Sequence, residues 1–230
     1  MAVTTGNVTV DQGLNKKTLV HTVEAGCTLL LATSNQSYGD VDNPTAVSSS
    51  VDGAFTLLDS NITTPRAGPQ LWYLVSPTVG AHTITFTETN SFYSVIASVS
   101  VLGSAVASIF GTVAKANGSS TTPSVSVASA TGELVIDVCT YRKASGDLTA
   151  TVDASQAQLV NASSGTGTTQ GLGLISTEAG AASVTMSWTG TVSNIWRTMG
   201  VSIKPAAASG GRLVGGVLLG QALAGGVLVN

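Results

Sequence analysis

Strict period-two alternation, repeated along the chain, constrains this sequence more than any other feature. In "SVTMSWTG" (183–190), Val184, Met186 and Trp188 share one parity, while Ser183, Thr185, Ser187 and Thr189 share the other. Successive strand residues point to opposite faces, so such a segment is a strand with one apolar face and one small polar face. "TMGVSIKP" (198–205) repeats the pattern with Met199, Val201 and Ile203. "HTITFTET" sets Ile84 and Phe86 against Thr83, Thr85 and Thr87. "ELVIDVCTY" turns Leu134, Ile136 and Val138 inward and Asp137 outward. These segments predict half-buried antiparallel strands with one face in water.

Further strands are expected at "KTLVHTV" (17–23), "CTLLLATS" (27–34), "AFTLLDS" (54–60), "LWYLVS" (71–76), "SVIASVSV" (94–101) and "SVSVAS" (124–129). Turn-forming clusters separate them: "EAG", "VDNP", "PTVG", "NGSSTTP", "ATG" and "SSGTGTTQG". No long stretch carries helical periodicity. Only 9% of residues are charged while 43% are hydrophobic, which suits strands rather than solvated helices or disorder. The expectation is an all-β chain: an antiparallel β-sandwich of jelly-roll type over residues 1–205. "KPAAASGG" (204–211) is the one clear composition break, a hinge before an extended C-terminal arm at 206–230.

Charge narrows the function classes. A formal net charge of −3, with nine scattered Lys and Arg, excludes the basic surface that nucleic acid requires. The opening "MAVTTGNVTV" has neither the basic nor the apolar stretch of a secretory signal, so synthesis in a host cytoplasm without a signal peptide is expected. Cys27 and Cys139 each lie in an apolar run and are expected as buried free thiols.

Four stretches carry a family likeness: "VDGAFTLLDS", "LWYLVSPTVGAHTITFT", "SSTTPSVSVASATGELVIDV" and "TEAGAASVTMSWTGTVSNIWRTMGVSIKP". In that order they resemble a β-sandwich module of bacteriophage virion proteins and bacterial surface proteins, over roughly residues 45 to 205. The features that resemble it are a Trp before a Pro-X-X-Gly turn, and a "SVTMSW" strand paired with a final "GVSIKP" strand. The resemblance implies architecture, and between virion and bacterial surface the missing signal sequence favours the virion. It brings no catalytic residues.

Sites of chemistry are sparse. His21 lies mid-strand on the Leu19 and Val23 face, and His82 starts a strand, so both read as structural histidines. No G-x-S-x-G, H-E-x-x-H or C-x-x-C occurs, no cofactor is implied, and a non-enzymatic protein is expected. "GTGTTQG" (165–171) misses the dinucleotide spacing and reads as a loop. "YGDVDNP" (38–44) reads as a solvated turn, and its alternative is a calcium site to which Asp40, Asp42 and the Asn43 carbonyl would supply half the ligands. Among the aromatics Trp72, Tyr73, Trp188 and Trp196, parity turns Trp188 inward. Trp196 follows the turn "GTVSN" and is the candidate for an exposed glycan contact, with Tyr141 or Tyr93 beside it.

The arm ends the chain with a ten-residue repeat, "GRLVGGVLLG" then "QALAGGVLVN". Its interaction candidates are Arg212, Leu213, Val214, Val217, Leu218, Leu219, Leu223, Val227, Leu228 and Val229. Seven glycines in its last 21 residues argue against a membrane helix, each costing about 0.8–1 kcal/mol relative to alanine. An extended arm adding strands to a neighbouring subunit would satisfy both its backbone and its Leu and Val side chains. The function expected is a phage capsid decoration or cement protein in the virion, bound to capsid or tail proteins and to itself as a homo-oligomer, a trimer in particular. A carbohydrate-binding tail-fibre, baseplate or surface adhesin is the alternative.

Overall fold

The structure, a computed structural model, describes residues 2–36, 43–62, 68–88, 93–142, 148–165 and 171–207. These residues form strands and no helix. The first half supplies β1 (Thr4–Leu14), β2 (Thr18–Val23), β3 (Cys27–Gln36), β4 (Ala46–Ser49) and β5 (Gly53–Ala54). It continues with β6 (Thr56–Ser60), β7 (Pro69–Val75), β8 (Gly80–Thr87) and β9 (Tyr93–Leu102). The second half supplies β10 (Ala114–Ser120), β11 (Ser124–Ala128), β12 (Leu134–Arg142) and β13 (Ala150–Val152). It ends with β14 (Ala157–Ser163), β15 (Gly171–Ala179), β16 (Ser183–Gly190) and β17 (Asn194–Ile203). The expected alternation is plain where one face meets water: β2 and β16 alternate exposed and buried residues.

Each half is an antiparallel β-sandwich, and the two share one winding. The first pairs a sheet of order β1-β9-β3-β7-β6 with one of order β2-β8-β4-β5. The second pairs β10-β17-β12-β15-β14 with β11-β16-β13. Read position by position, the strand orders coincide, with β5 the one addition. The five-stranded sheets lie inside and face each other. Leu29 and Leu31 of β3, Leu71 of β7 and Val99 of β9 pack with Ile136 and Val138 of β12, Ile175 of β15 and Met199 of β17 in one cluster. The far face of the first inner sheet packs Leu30, Trp72 and Ile96 on Ile84 and Phe86 of its outer sheet. The far face of the second packs Tyr141 and Leu174 on Trp188, and Val135 on Val184 and Met186. The result is four layers, with both inner sheets covered on both faces.

This layering revises three expectations. β12 and β17 do not keep one face in water; Asp137, expected outward, is 1% exposed because the β11-β16-β13 sheet covers it. The "SVTMSW" and "GVSIKP" strands are not partners: β16 pairs with β11 and β13, whereas β17 pairs with β10 and β12. "NGSSTTP" is not wholly a turn, since Asn117–Ser120 continue β10 along β17. Its glycine serves a contact instead. A Cβ on Gly118 would lie 2.7 Å from the Trp196 ring, so the bare backbone is what lets the indole lie there.

Polar ties cross the mid-plane near one end. Asn61 of the first half donates from Nδ2 to the carbonyls of Ala116 (2.9 Å) and Thr198 (2.8 Å) in the second. Thr140 Oγ1 donates to Asn35 Oδ1 at 3.2 Å. Beside Thr140, its cross-strand partner Gly173 lets β15 approach β9, because a Cβ there would stand 2.6 Å from Val95 Cβ. Gly173→Ala is expected to cost about 1–3 kcal/mol in urea unfolding, the usual penalty of overpacking. A variant as stable as the parent would contradict the close approach of the two inner sheets.

Candidate functional site

The most polar buried cluster sits between the second inner sheet and its outer sheet. Asp137 on β12 and Ser176 on β15 are cross-strand partners. Asp137 Oδ1 accepts the Ser176 N–H at 2.8 Å, and its Oδ2 accepts the Trp188 Nε1–H at 2.9 Å. Ser176 Oγ stands 2.6 Å from Asp137 Oδ1 and 2.8 Å from Gln156 Oε1. A hydroxyl has one proton for these two acceptor oxygens, so both contacts are satisfied when the carboxyl itself carries a proton. Burial pushes the Asp137 pKa up to about 6, against the hydrogen bonds from Ser176 and Trp188 that favour the charged form. The cluster ties three strands and the turn before β14 together. It is enclosed, and nothing in its geometry presents the carboxyl to a substrate.

The two histidines face each other across β2 and β8 and are both fully buried, as the structural reading expects. His21 bonds Thr9 Oγ1 (3.0 Å) and Ser100 Oγ (2.9 Å). Burial lowers the His21 pKa, with Glu24 opposing and His82 reinforcing the shift. His82 Nε2–H donates to the Thr78 carbonyl at 2.7 Å, which leaves Nδ1 to accept the Ser49 hydroxyl at 2.7 Å. Asp52 Oδ2 lies 3.6 Å from the same Nδ1, so serine, histidine and aspartate do converge. Their arrangement is that of a turn rather than a nucleophile. Ser49 Oγ accepts the N–H groups of Val51 and Asp52, and Ser49 is only 6% exposed. Asp52 is engaged by Thr78 through both N–H and hydroxyl; desolvation opposes these bonds, but they hold its carboxyl below the usual range.

The structure also settles the other residues singled out in the sequence. Trp188 is buried as expected, and Cys27 and Cys139 are free thiols, half-buried and buried. Burial raises both thiol pKa values, so neither is an activated nucleophile. Trp196 is not the exposed ring expected from the turn before it. It is 8% exposed, packed with Tyr141 and Trp188 and lying against Gly118 of β10, and its Nε1 donates to Ser120 Oγ at 2.9 Å. Tyr141 is buried, its hydroxyl 2.7 Å from the carbonyl oxygens of both Ser120 and Val192 with one proton to share between them, and Tyr93 is half-buried. Asp40 and Asp42 lie outside the described residues, as do all the arm residues from Arg212 to Val229. Among the described residues no three metal-ligating side chains gather.

Two surface features escape a reading of the sequence. The strands of the two outer sheets contain no Asp, Glu, Lys or Arg. Their exposed faces carry Thr18, Val20, Thr22 and Thr83 on one side of the stack, and Ser126, Ser183, Thr185 and Thr189 on the other. The second feature is a groove of about 350 Å³ lined by Thr28, Ser104, Ala105, Val106, Ala107, Ala206 and Ala207. It forms where the two halves end: Ser104, after β9, bridges Pro205, after β17. The Thr28 and Ser104 hydroxyls bond each other at 2.8 Å, which leaves the lining apolar. The alanines of "KPAAASGG" are the one sequence signal for it. Comparison of the chain with protein-family models, with curated proteins and with solved structures finds no match.

The titrations of the two buried groups have opposite signs. Asp137, with a folded pKa of about 6 above its ordinary 3.8, favours the folded state fully below 3.8 and loses that contribution as pH rises through 6. His21, lowered from 6.5, contributes above 6.5 and loses its contribution as pH falls. Urea unfolding of wild type and Asp137→Asn, compared from about pH 4 to about pH 7, isolates the first effect: wild type should lose on the order of 3 kcal/mol relative to the variant. A pH-independent difference between the two would show that the carboxyl is ionised throughout.

Proposed function

We propose that this protein is a non-enzymatic structural protein of a phage virion, a capsid decoration or cement protein that assembles through its β-sandwich faces and its apolar C-terminal arm. The observation that carries the reading is the charge-free character of both outermost sheets. Ordinary solvated sheets carry Lys and Glu that keep copies apart. Here Ser, Thr, Ala and Val faces allow close lateral packing without like-charge repulsion or the desolvation of ions. The winding adds support. In each half most connections carry the chain from one sheet to the other, the exceptions being β4–β5, β6–β7 and β14–β15, and the β5–β6 segment also changes sheet, as in a jelly roll. The buried, internally bonded state of Asp137, Ser49 and His82 gives an enzymatic reading no foothold there. The carbohydrate-adhesin alternative rests on Trp196 as a stacking surface, and that ring is covered.

On this reading the partners are capsid or tail proteins and further copies of the chain, and assembly depends on the arm. Light scattering of the full chain at high micromolar concentration should give a closed oligomer, a trimer. Deleting 209–230 should leave thermal stability within about 0.5 kcal/mol, as for surface changes, while reducing the species to a monomer. A monomeric full chain, or a truncated chain that assembles like the parent, would overturn the reading.

A further inference from the structure

We infer that the groove between the ends of the two halves is the receptor for the C-terminal arm of a second copy, an inference that rests on the arm-mediated assembly proposed above. The arm departs from the groove itself, since Ala206 and Ala207 form part of its wall. Its backbone ladder stops there. Ala206 N–H donates to the Gly103 carbonyl and Ala105 N–H to the Lys204 carbonyl, each at 2.8 Å. One step further, residue 207 would face Leu102, whose backbone already pairs with Thr4 on one side and Cys27 on the other. The ladder therefore has no place for Ala207.

The length and composition of the arm decide between its own groove and a neighbour's. Twenty-three residues lie beyond Ala207, rich in Leu, Val, Ala and Gly with Arg212 as the one charged side chain. Extended, they reach up to roughly 80 Å. A groove of about 350 Å³ at the root of the arm holds only a few such side chains. An arm folded back onto its own root would leave most of its Leu and Val in water. Reaching across to the same groove on another copy places the apolar repeat along an interface instead, and identical arms passed from each copy to the next around a ring close a symmetric assembly. The groove suits that occupant. Its lining is small and uncharged, so an extended backbone can approach closely, and Val106, 60% exposed, offers an apolar contact to the arm's Leu and Val.

The test uses the full chain. A photo-crosslinking p-benzoylphenylalanine replaces Val106 in unlabelled protein, which is then mixed with an excess of ¹⁵N-labelled wild type and irradiated. Trypsin releases the arm as residues 213–230, after Arg212. The expected result is a crosslink from position 106 to the ¹⁵N form of that peptide. A crosslink only to the unlabelled peptide would show that each arm occupies its own groove, and no crosslink to the arm would place the arm elsewhere; either overturns the inference. Val106→Asp, at an exposed position that folding tolerates, should weaken self-association at least tenfold, and unchanged association would also count against it. If the crosslink fails while deletion of 209–230 still abolishes assembly, the groove assignment falls and the structural reading stands. If the deletion has no effect, the structural reading falls with it.

Discussion

The apolar plane between the two inner sheets, where Leu31, Leu71 and Val99 meet Ile136, Val138 and Met199, sets the terms for the rest of the molecule. Once these sheets face each other, each is left with a second face that must also be covered, and each acquires its own outer sheet. Strands buried on both faces usually become continuous runs of Val, Ile and Leu. Here β9 and β17 keep alternating small polar residues instead, and the far face is made compatible with burial by hydrogen bonds. Ser98 Oγ donates to the Leu31 carbonyl at 2.9 Å, and Ser100 Oγ meets His21. Asp137 is the extreme case, a carboxyl retained in a dry layer because Ser176 and Trp188 meet both of its oxygens. Those hydrogen bonds offset part of the cost of that burial, and protonation removes more of it as pH falls through about 6.

The same layering explains where charge is found. The inner strands carry little of it: the engaged Asp137, the buried Arg197 of β17, and residues at strand ends and edges such as Arg142, Glu178 and Lys115. The outer sheets have water on one face and could carry charge freely, yet their strands contain none. The polar side chains best equipped for chemistry are meanwhile engaged inside, holding layers together. Asn61 and Thr140 bridge the halves, and His21 and His82 line the first sandwich. Such a distribution supports the proposed building-block reading, in which interactions are made by the uncharged faces and at the junction of the two halves.

The sandwich class is legible in the sequence because alternation is a local property. "SVTMSWTG" declares its own parity, and the structure keeps Val184, Met186 and Trp188 buried with Thr185 exposed. Which parity meets water in an inner strand is not local. The pattern that points Asp137 outward is correct for β12 as a strand, but no residue in β12 says that a second sheet covers its far face. β10 and β15 escape the pattern for a related reason: Gly118, Gly171 and Gly173 weaken a strand signal, while at Gly118 and Gly173 the structure uses the missing side chain for close approach. The shared winding of the halves does leave a trace. "VGAHTITF" at 79–86 and "AGAASVTM" at 179–186 share the Gly-Ala pair and place Ile84 and Phe86 opposite Val184 and Met186 in equivalent strands. Beyond the Gly-Ala pair and Thr85/Thr185, only the apolar parity of that stretch is preserved, since packing constrains parity and size more than identity. Trp196 defeats the sequence reading because exposure after a turn depends on what folds over it, here Ser120 at the end of a strand 76 residues earlier.

If the shared apolar plane organises the whole molecule, neither half can be stable while the other is unfolded, since unfolding one would expose an entire face of the other's inner sheet. Differential scanning calorimetry of the full chain tests this most directly. A single transition, with calorimetric and van't Hoff enthalpies equal, is the predicted result. Two separable transitions, one for each sandwich, would contradict it and make the halves independent domains that merely touch.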